Sequence, residues 1–337
     1  MLLRKPNPLD GSDIPSSEIT PQAEYQRFLK ERKIHDRRSF LTGAAAAGAA
    51  VLGADRLTSL LNPQVSVLAA GKLQTVPSPL STHGEQLTSY QDVTTFNNFY
   101  EFGVDKSAPA HNAGGLPTRP WSIRVTGLVQ KEKTIDIDTI LKLHALEDRT
   151  YRHRCVEGWS MVIPWAGYSF SQFIEQCQPL STAKYVQFYS YFDKKVDKWW
   201  AESSIDWPYS EGLRMDEAMN PLTLLTVGLY GDVLPNQNGA PVRIAVPWKY
   251  GFKSAKSIVE VRFVSKQPPT TWNDMAPNEY GFYSNVNPNV DHPRWSQKYE
   301  RVIGAPFWKA RQATLMFNGY GDQVASLYTG MDLRKNF

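Results

Sequence analysis

The chain has 337 residues, 42% of them hydrophobic and 12% aromatic. This composition excludes a wholly disordered protein, because it supplies enough apolar surface for a large core. The formal net charge is only +4 and no long basic block occurs, which excludes the usual electrostatic surface of a nucleic-acid-binding protein. The two cysteines, Cys155 and Cys177, are too few for a disulfide framework or a cysteine-based zinc site.

The first 54 residues have the layout of an export signal. Paired arginines, Arg37 and Arg38, stand in the sequence DRRSFL and precede an uncharged, alanine-rich segment at 43–54. This order is typical of a twin-arginine signal, which a receptor reads and which does not anchor the protein. The alternative is a basic patch ahead of an alanine-rich helix. Because this route carries folded proteins, often with a cofactor inserted, the signal predicts a periplasmic protein and favours a tightly held redox cofactor.

The remaining chain divides into two predicted parts. Residues 55–95 predict an extended N-terminal segment, rich in Pro, Ser and Thr and without a sustained period, and the folded domain is predicted to span 96–337. Within the domain, alternating or β-branched and aromatic patterns predict strands at 121–129, 183–192, 241–246 and 258–264. Beyond residue 267, Pro, Asn, Trp and Gly predict long ordered loops. The expected class is α+β and rich in β-structure.

Helices are few and short. One is predicted behind Ser169, which begins a Ser-x-x-Gln capping box. Its apolar residues fall at i, i+3, i+4 and i+7 and form one stripe that faces the core, namely Phe170, Phe173, Ile174 and Cys177. Cys177 is therefore predicted to be a buried structural thiol, although an oxidising compartment leaves a disulfide with Cys155 as an alternative. A second short helix is predicted at 214–219.

Cys155 is the leading candidate for chemistry. It is the fifth residue of YRHRCVEGWS, where Arg152, His153 and Arg154 can lower its pKa and favour a thiolate, which is a nucleophile and a ligand for soft metals. Gly158 allows a sharp turn behind it. The alternatives are a small buried hydrophobe, the commonest fate of a free cysteine, and the disulfide already mentioned.

Three further stretches combine turn residues, aromatics and charge: 97–103 (NNFYEFG), 238–243 (NGAPVR) and 247–256 (PWKYGFKSAK). Strand alternation directs Arg243 away from the apolar face of its strand. Arg243 and Lys256, with backbone N–H groups in the turns, would suit a phosphate-bearing cofactor. The alternative for each stretch is an ordinary turn with a solvated charge.

Several unusual strings together resemble one enzyme family. They are NNFYEFG, CVEGWSM at 155–161, NGAPVRIAVPWKYGFK at 238–253, DHPRWS at 291–296 and the closing DLRKNF at 332–337. These strings are similar to those of the catalytic subunits of bacterial periplasmic protein-methionine-sulfoxide reductases, molybdenum enzymes of the sulfite-oxidase fold family. The resemblance covers essentially all of 96–337. It implies a β-rich, sulfite-oxidase-type molybdopterin-binding fold with short helices and long loops.

The resemblance also implies a cofactor and the residues that hold it. The cofactor is a single molybdenum bound by one molybdopterin and one protein thiolate, and Cys155 stands at the position of the metal ligand and catalytic residue. Besides Cys155, the positions implied for molybdopterin contact are Asn97, Tyr100, Glu101, Ser190, Asn238, Arg243, Ser254, Ala255 and Lys256. Glu157 and Trp295 are candidates for lining the substrate side; the alternatives are a solvated carboxylate and a packed core tryptophan.

The implied function is reduction of methionine sulfoxide in periplasmic proteins, a repair reaction in which the sulfoxide oxygen passes to reduced molybdenum. The sequence has no haem, flavin or nicotinamide signature, so the electrons are expected from an external donor. The resemblance implies that this donor is a membrane-bound, haem-containing subunit of the MsrQ type. The alternatives are sulfite oxidation on the same fold, which needs a strongly cationic substrate pocket, and an exported pterin-binding protein without turnover.

Overall fold

The computed structural model describes residues 72–82, 84–203 and 205–337, and the predicted twin-arginine signal lies outside them. The described strands are β1 (Thr75–Pro77), β2 (Ser122–Gly127), β3 (Lys133–Asp136), β4 (Leu146–Arg154), β5 (Trp159–Ser169), β6 (Tyr185–Ser190), β7 (Ser210–Arg214), β8 (Leu224–Leu229), β9 (Asp232–Val233), β10 (Arg243–Ala245), β11 (Ile258–Val264), β12 (Tyr299–Val302) and β13 (Arg311–Ala313). The α-helices are α1 (Tyr90–Thr95), α2 (Ala108–Asn112), α3 (Ile137–Lys142), α4 (Phe170–Cys177), α5 (Met215–Met219), α6 (Thr271–Met275) and α7 (Gly321–Val324).

The first β-sheet has eight strands. Strands β1, β4, β5, β12 and β13 follow one another across it, and β8 pairs with the far half of β5 and with β9 and β10. The hairpin of β4 and β5 is antiparallel, with Arg154 opposite Ser160. β12 runs parallel to the beginning of β5. The turn between β4 and β5 therefore has β12 beside it on the β5 side.

The second β-sheet has five strands in the order β3–β2–β11–β6–β7. β11 lies at its centre, parallel to β2 and antiparallel to β6. The alternation predicted around Trp121 is confirmed in β2, where Ile123 and Val125 are fully buried and Arg124 is exposed. The three other predicted strands are confirmed as β6, β10 and β11, and the short helix predicted at 214–219 is confirmed as α5.

Helix α4 lies between the two sheets. Its predicted apolar stripe is buried along its whole length. Phe170 follows directly on β5 of the first sheet, and its ring lies 5.5 Å from that of Phe188 in β6 of the second sheet. Cys177 is fully buried at the end of the stripe and is not bonded to Cys155. The prediction of a buried structural thiol is confirmed.

The N-terminus of α4 differs from the prediction. Ser169 precedes the helix, but its side chain makes no capping hydrogen bond. Its hydroxyl instead accepts from Arg149 Nη2 at 2.8 Å and donates to the Pro221 carbonyl at 2.9 Å. The predicted capping box is therefore wrong, because a buried arginine of β4 takes the serine oxygen.

Helix α1 lies within a segment that the sequence predicts to be extended. Ser89 caps it by accepting from the Asp92 N–H at 3.1 Å, and Val93 is buried. A helix of six residues is too short for an apolar period to be visible in the sequence. Its position matters because Val93 packs against the site.

Within the described residues, no helix combines the length and the apolar character that crossing a bilayer requires.

Candidate active site

Cys155 is the first residue after β4 and begins the turn that leads into β5. Its N–H donates to the Trp159 carbonyl at 2.9 Å, and the Gly158 N–H donates to the Cys155 carbonyl at 3.1 Å. Gly158 has a φ of +81°, a left-handed conformation that favours glycine. The sequence therefore folds into a tight turn that places the cysteine where β4 ends, between two adjacent strands of the first sheet.

The side chain of Cys155 lines a pocket with about 990 Å³ of empty space, part of it open to solvent. Eight of the ten predicted site residues line this pocket, namely Asn97, Tyr100, Glu101, Cys155, Ser190, Asn238, Arg243 and Lys256. They come from the loop after α1, the turn after β4, the end of β6 and the segment around β10. The fold therefore brings distant parts of the sequence to one cavity.

The acidity of the Cys155 thiol differs from the sequence prediction. Burial and the nearby Glu157 carboxylate raise its pKa to about 12, against the opposing charge of Lys106. The predicted lowering of this pKa is therefore wrong for the protein alone. A thiolate here requires a positive charge at the sulfur itself, which a bound metal ion supplies.

The basic neighbours of Cys155 in the sequence are occupied elsewhere. Arg154 is fully buried and its Nε lies 2.9 Å from Glu300 Oε2, while Arg152 pairs with Glu85. His153 lines the pocket, where burial and the positive charges of Arg243 and Lys256 lower the pKa of its imidazole to about 3. His153 is therefore neutral, and the charge of Arg154, which acts to lower the pKa of the Cys155 thiol, does not offset burial and Glu157.

A buried polar cluster surrounds the sulfur and consists of Asn98, Lys106, Glu157 and Trp159. Lys106 Nζ lies 2.9 Å from Glu157 Oε2. Asn98 Nδ2 and Trp159 Nε1 donate to the same carboxylate oxygen at 3.1 and 2.9 Å. Burial acts to raise the pKa of Glu157, but Lys106 and these donors outweigh it and hold the pKa below its usual value. The predicted position of Glu157 at the site is confirmed, and its carboxylate is ionised.

Two cations face the pocket without a salt-bridge partner in the described part of the chain. Arg243 is 4% exposed, and its guanidinium donates to the carbonyls of Asn238 at 2.8 Å and Ser254 at 3.4 Å. Burial lowers the pKa of Arg243 to about 10. Burial and Arg243 lower the pKa of Lys256 to about 8, against the opposing charge of Glu101. Such a pair is suited to an anionic ligand such as a phosphate, so the alternative of a solvated charge is wrong for Arg243.

Three buried side chains of the pocket have an oxygen without a hydrogen-bond partner among the residues the structure describes. Asn97 and Asn238 both donate through Nδ2 to the Val93 carbonyl at 2.9 Å, which leaves their Oδ1 atoms unpaired. Ser190 Oγ is the third such atom. Unpaired buried acceptors are costly. These residues therefore fit a ligand with N–H donors, such as a pterin ring.

Burial also changes the pKa of Glu101, a residue that the family resemblance implies is in contact with molybdopterin. Its side chain is 4% exposed. Burial raises its pKa to about 8, against the opposing charge of Lys256. Glu101 therefore has a protonated form near neutral pH that can donate as well as accept a hydrogen bond.

Ser254 and Ala255 are the two predicted site residues that do not line the pocket. Ser254 Oγ accepts from the Val246 N–H at 3.2 Å, and the Ala255 carbonyl accepts from the Ile244 N–H at 2.9 Å. Both residues therefore hold the segment before β11 against β10. Their contact with molybdopterin stays a prediction.

Trp295 also lies outside the pocket. Its side chain is 3% exposed, its Nε1 donates to the Val156 carbonyl at 2.8 Å, and its ring stacks on His292 with centroids 3.5 Å apart. Trp295 is therefore a packed core tryptophan that supports the Cys155 turn from behind. The candidate role on the substrate side is wrong.

Among the aromatic residues that line the pocket, four form what we call the aromatic rim: Tyr100, Phe252, Trp272 and Tyr280. The Trp272 ring lies 5.4 Å from that of Tyr100 and 4.9 Å from that of Tyr280. Sequence reasoning missed three of these residues, and it also missed Asn98 and Lys106. Asn98 and Phe252 lie within the stretches 97–103 and 247–256, but no local motif marks them as site residues. None signals the other three, because these residues meet Cys155 only in the folded chain.

Comparisons with known proteins agree with the geometry. A family model described as "Oxidoreductase molybdopterin binding domain" matches residues 112–272. The protein-methionine-sulfoxide reductase catalytic subunit MsrP of Burkholderia mallei is 57% identical over 98% of this chain and 97% of its own length. The MsrP of Ralstonia nicotianae is 55% identical over the full length of both chains. Among solved structures, the sulfane dehydrogenase SoxCD of Paracoccus pantotrophus is similar at a TM-score of 0.40 and 16% identity, over 64% of this chain and 60% of that one, which is too distant to add to the assignment.

Proposed function

The chain belongs to the family of protein-methionine-sulfoxide reductase catalytic subunits, and we propose that it reduces methionine sulfoxide in proteins to methionine with a molybdenum–molybdopterin cofactor in the Cys155 pocket. Each turnover consumes two electrons and two protons and releases the sulfoxide oxygen as water. The observation that carries the proposal is the composition of the pocket. One buried thiol shares it with two cations that lack salt-bridge partners and three unpaired acceptors among the described residues.

Each of these groups has a part in holding the cofactor. Cys155 would supply the protein thiolate, a soft ligand that suits molybdenum. Asn97, Asn238 and Ser190 would accept from the pterin, and the nearby cations would bind its phosphate. When bound, the cofactor supplies the oxygen-atom transfer that amino-acid side chains do not provide.

The aromatic rim favours a sulfoxide over sulfite as the substrate. Its rings offer a polarizable surface to the thioether chain of a methionine residue. Arg294, which hydrogen-bonds the rim residue Tyr280 at 3.3 Å, lies 2.8 Å from Glu279 Oε2, so its charge is compensated. In this proposal the cofactor phosphate neutralises the two pocket cations, Arg243 and Lys256. The rim therefore lacks the strongly cationic character that sulfite binding needs.

We also propose that the protein works in the periplasm and receives electrons from a membrane-bound, haem-containing subunit of the MsrQ type. The arginine pair before the alanine-rich segment supports the location. The relatives are named catalytic subunits, a name that implies a partner subunit. Repair of oxidised periplasmic proteins follows from the location and the substrate.

The location is tested by replacing Arg37 and Arg38 with lysine. Because the receptor reads paired arginines, the precursor should remain in the cytoplasm, as measured by cell fractionation and immunoblotting. Undiminished periplasmic protein would contradict the export proposal.

The function is tested by a matched pair of variants, Cys155→Ala and Cys177→Ala. Free methionine sulfoxide is reduced with dithionite-reduced dye as the electron source, and molybdenum is measured in the same samples. Cys155→Ala should lose turnover and change the electronic spectrum of the metal. Cys177→Ala should keep both and cost about 1–2 kcal/mol of stability, as for a small core truncation. Full activity in Cys155→Ala, or sulfite oxidation without sulfoxide reduction in the unaltered protein, would contradict the proposal.

A further inference from the structure

Lys106 is a buried cation that contacts both groups next to the Cys155 sulfur. It is 4% exposed. Its Nζ lies 2.5 Å from Asn98 Oδ1 and 3.0 Å from Glu157 Oε1. Its own carbonyl accepts from the Asn97 N–H at 2.8 Å, which fixes its backbone beside the pocket wall. Neither the sequence motifs nor the predicted site residues include it.

The contacts of Lys106 decide which way the Asn98 amide faces. An ammonium group only donates hydrogen bonds, so it must take the amide oxygen. The Asn98 NH₂ group is thereby turned to the other side, where it lies 3.1 Å from Glu157 Oε2 and 3.5 Å from Cys155 Sγ. Without Lys106 the amide oxygen loses its donor, and only the contact of the NH₂ group with Glu157 still orients the amide.

Lys106 also fixes the Glu157 carboxylate. Both carboxylate oxygens are within 3.0 Å of its Nζ, and Trp159 Nε1 holds one of them from the opposite side at 2.9 Å. The carboxylate therefore has one position, with Oε2 3.7 Å from the sulfur. A single lysine thus orders a hydrogen-bond donor and a negative charge around the same sulfur atom.

We propose that Lys106 is a positioning residue that sets the reduction potential of the metal bound by Cys155. The proposal rests on the proposed function, because it needs a metal at that sulfur. Hydrogen bonds to a ligand sulfur and nearby positive charge both favour the reduced metal. Loss of Lys106 removes the charge, leaves Glu157 uncompensated and frees the Asn98 amide, and all three changes stabilise the oxidised metal.

The experiment measures the midpoint potential of the molybdenum in the holoenzyme by a redox titration followed by EPR. Lys106→Met removes the charge at similar length, and Lys106→Gln keeps a hydrogen-bonding end as a milder change. Both should shift the one-electron equilibrium at least tenfold toward the oxidised metal, which corresponds to about 59 mV. The double variant Lys106→Met with Glu157→Gln should recover part of the shift, because it removes the uncompensated charge but does not reorient Asn98.

Lys249→Met is the matched control, because Lys249 is an equally buried lysine paired with a glutamate away from the pocket. It should leave the potential unchanged even where it lowers stability. A wild-type potential in holo Lys106→Gln or Lys106→Met would overturn the proposal and leave Lys106 a purely structural cation. If the unaltered protein binds no molybdenum, the proposed function fails, which the metal analysis of that sample shows separately.

Discussion

The segment 243–256 contains four cations, three of them buried and Lys256 half-buried, and they form two regions that differ in how their charge is neutralised. The first region is self-contained: Lys249 Nζ lies 2.7 Å from Glu217 Oε1, and Lys253 Nζ lies 2.5 Å from Glu211 Oε2. The two lysines and the two glutamates of these pairs are almost completely buried. Charge in this region is neutralised within the protein, so the region needs no ligand to be stable.

The second region faces the pocket and is not neutralised in this way. Arg243 donates only to backbone carbonyls, and Lys256 has no salt bridge to any described residue. A buried charge without a counter-ion is costly. A bound anion would remove this free-energy cost. The contrast between the two regions therefore separates cations that hold the fold from cations that, in the proposed function, hold the cofactor.

The largest expected effect is on stability and tests the self-contained region. Lys249→Met leaves the Glu217 carboxylate buried without its cation, and breaking a buried pair in this way costs about 3–5 kcal/mol. Urea unfolding of cofactor-free protein measures the loss. The fraction that folds should still bind molybdopterin normally, and a stability within 1 kcal/mol of wild type would contradict the account of this region.

The next effect is on cofactor content and tests the pocket region. Arg243→Met removes a charge-assisted contact with the proposed phosphate, which is worth about 1.5–3 kcal/mol, so molybdopterin retained after purification should fall roughly tenfold or more. The same change should cost the cofactor-free protein much less stability than Lys249→Met. Arg152→Ala serves as the control, because Arg152 pairs with Glu85 outside the pocket. Equal cofactor content in the two variants would remove the phosphate assignment.

A smaller effect is expected when both members of the self-contained pair are replaced. Lys249→Met combined with Glu217→Gln removes the cation and the carboxylate together, and a neutral substitute for a buried pair is often nearly as stable as the pair. The double variant should recover most of the stability lost in Lys249→Met, so that its free energy of unfolding is about 1–2 kcal/mol below that of the wild type. If the stability lost in the double variant equals the sum of the losses in the two single variants, Glu217 is stabilised by other contacts, such as the Tyr328 hydroxyl at 2.7 Å.

The last effect concerns the pH dependence of stability and depends on a buried carboxylate outside both regions, Asp197. Burial raises its pKa from 3.8 to about 6, while the Asp193 N–H opposes this rise. A group whose pKa is raised by folding stabilises the protein fully below its unfolded pKa and loses that contribution as the pH rises through its folded pKa. Asp197→Asn should nearly match the wild type at pH 3 to 4 and be more stable at pH 7, by up to about 3 kcal/mol. Urea unfolding at a series of pH values measures the difference in stability between the variant and the wild type. A difference that does not change with pH would contradict this prediction.

The local patterns of the chain predict its elements well, because they depend on near neighbours in sequence. The alternation in β2 and the stripe of α4 are examples, and both are buried as the patterns require. The pairing of cations is different, because it depends on partners far away in the chain. Nothing in the spacing of the segment 243–256 shows that Lys249 meets Glu217 while Arg243 meets no carboxylate among the described residues.

The same limit applies at the site itself. The resemblance places Cys155 at the metal position, but the flanking residues Arg152 and Arg154 suggest a low thiol pKa that the fold does not produce. They turn to Glu85 and Glu300 instead. The residues that do surround the sulfur, such as Lys106, reach it through a loop whose path the sequence does not reveal.

The most direct test of the account is the number of sulfur atoms bound to the metal. X-ray absorption at the molybdenum K edge counts them in the purified holoenzyme. The account predicts three sulfur ligands, two from the molybdopterin and one from Cys155, and two in Cys155→Ser, while Cys177→Ala keeps three. The same sulfur count in Cys155→Ser as in the unaltered protein would contradict the assignment of Cys155 as the metal ligand.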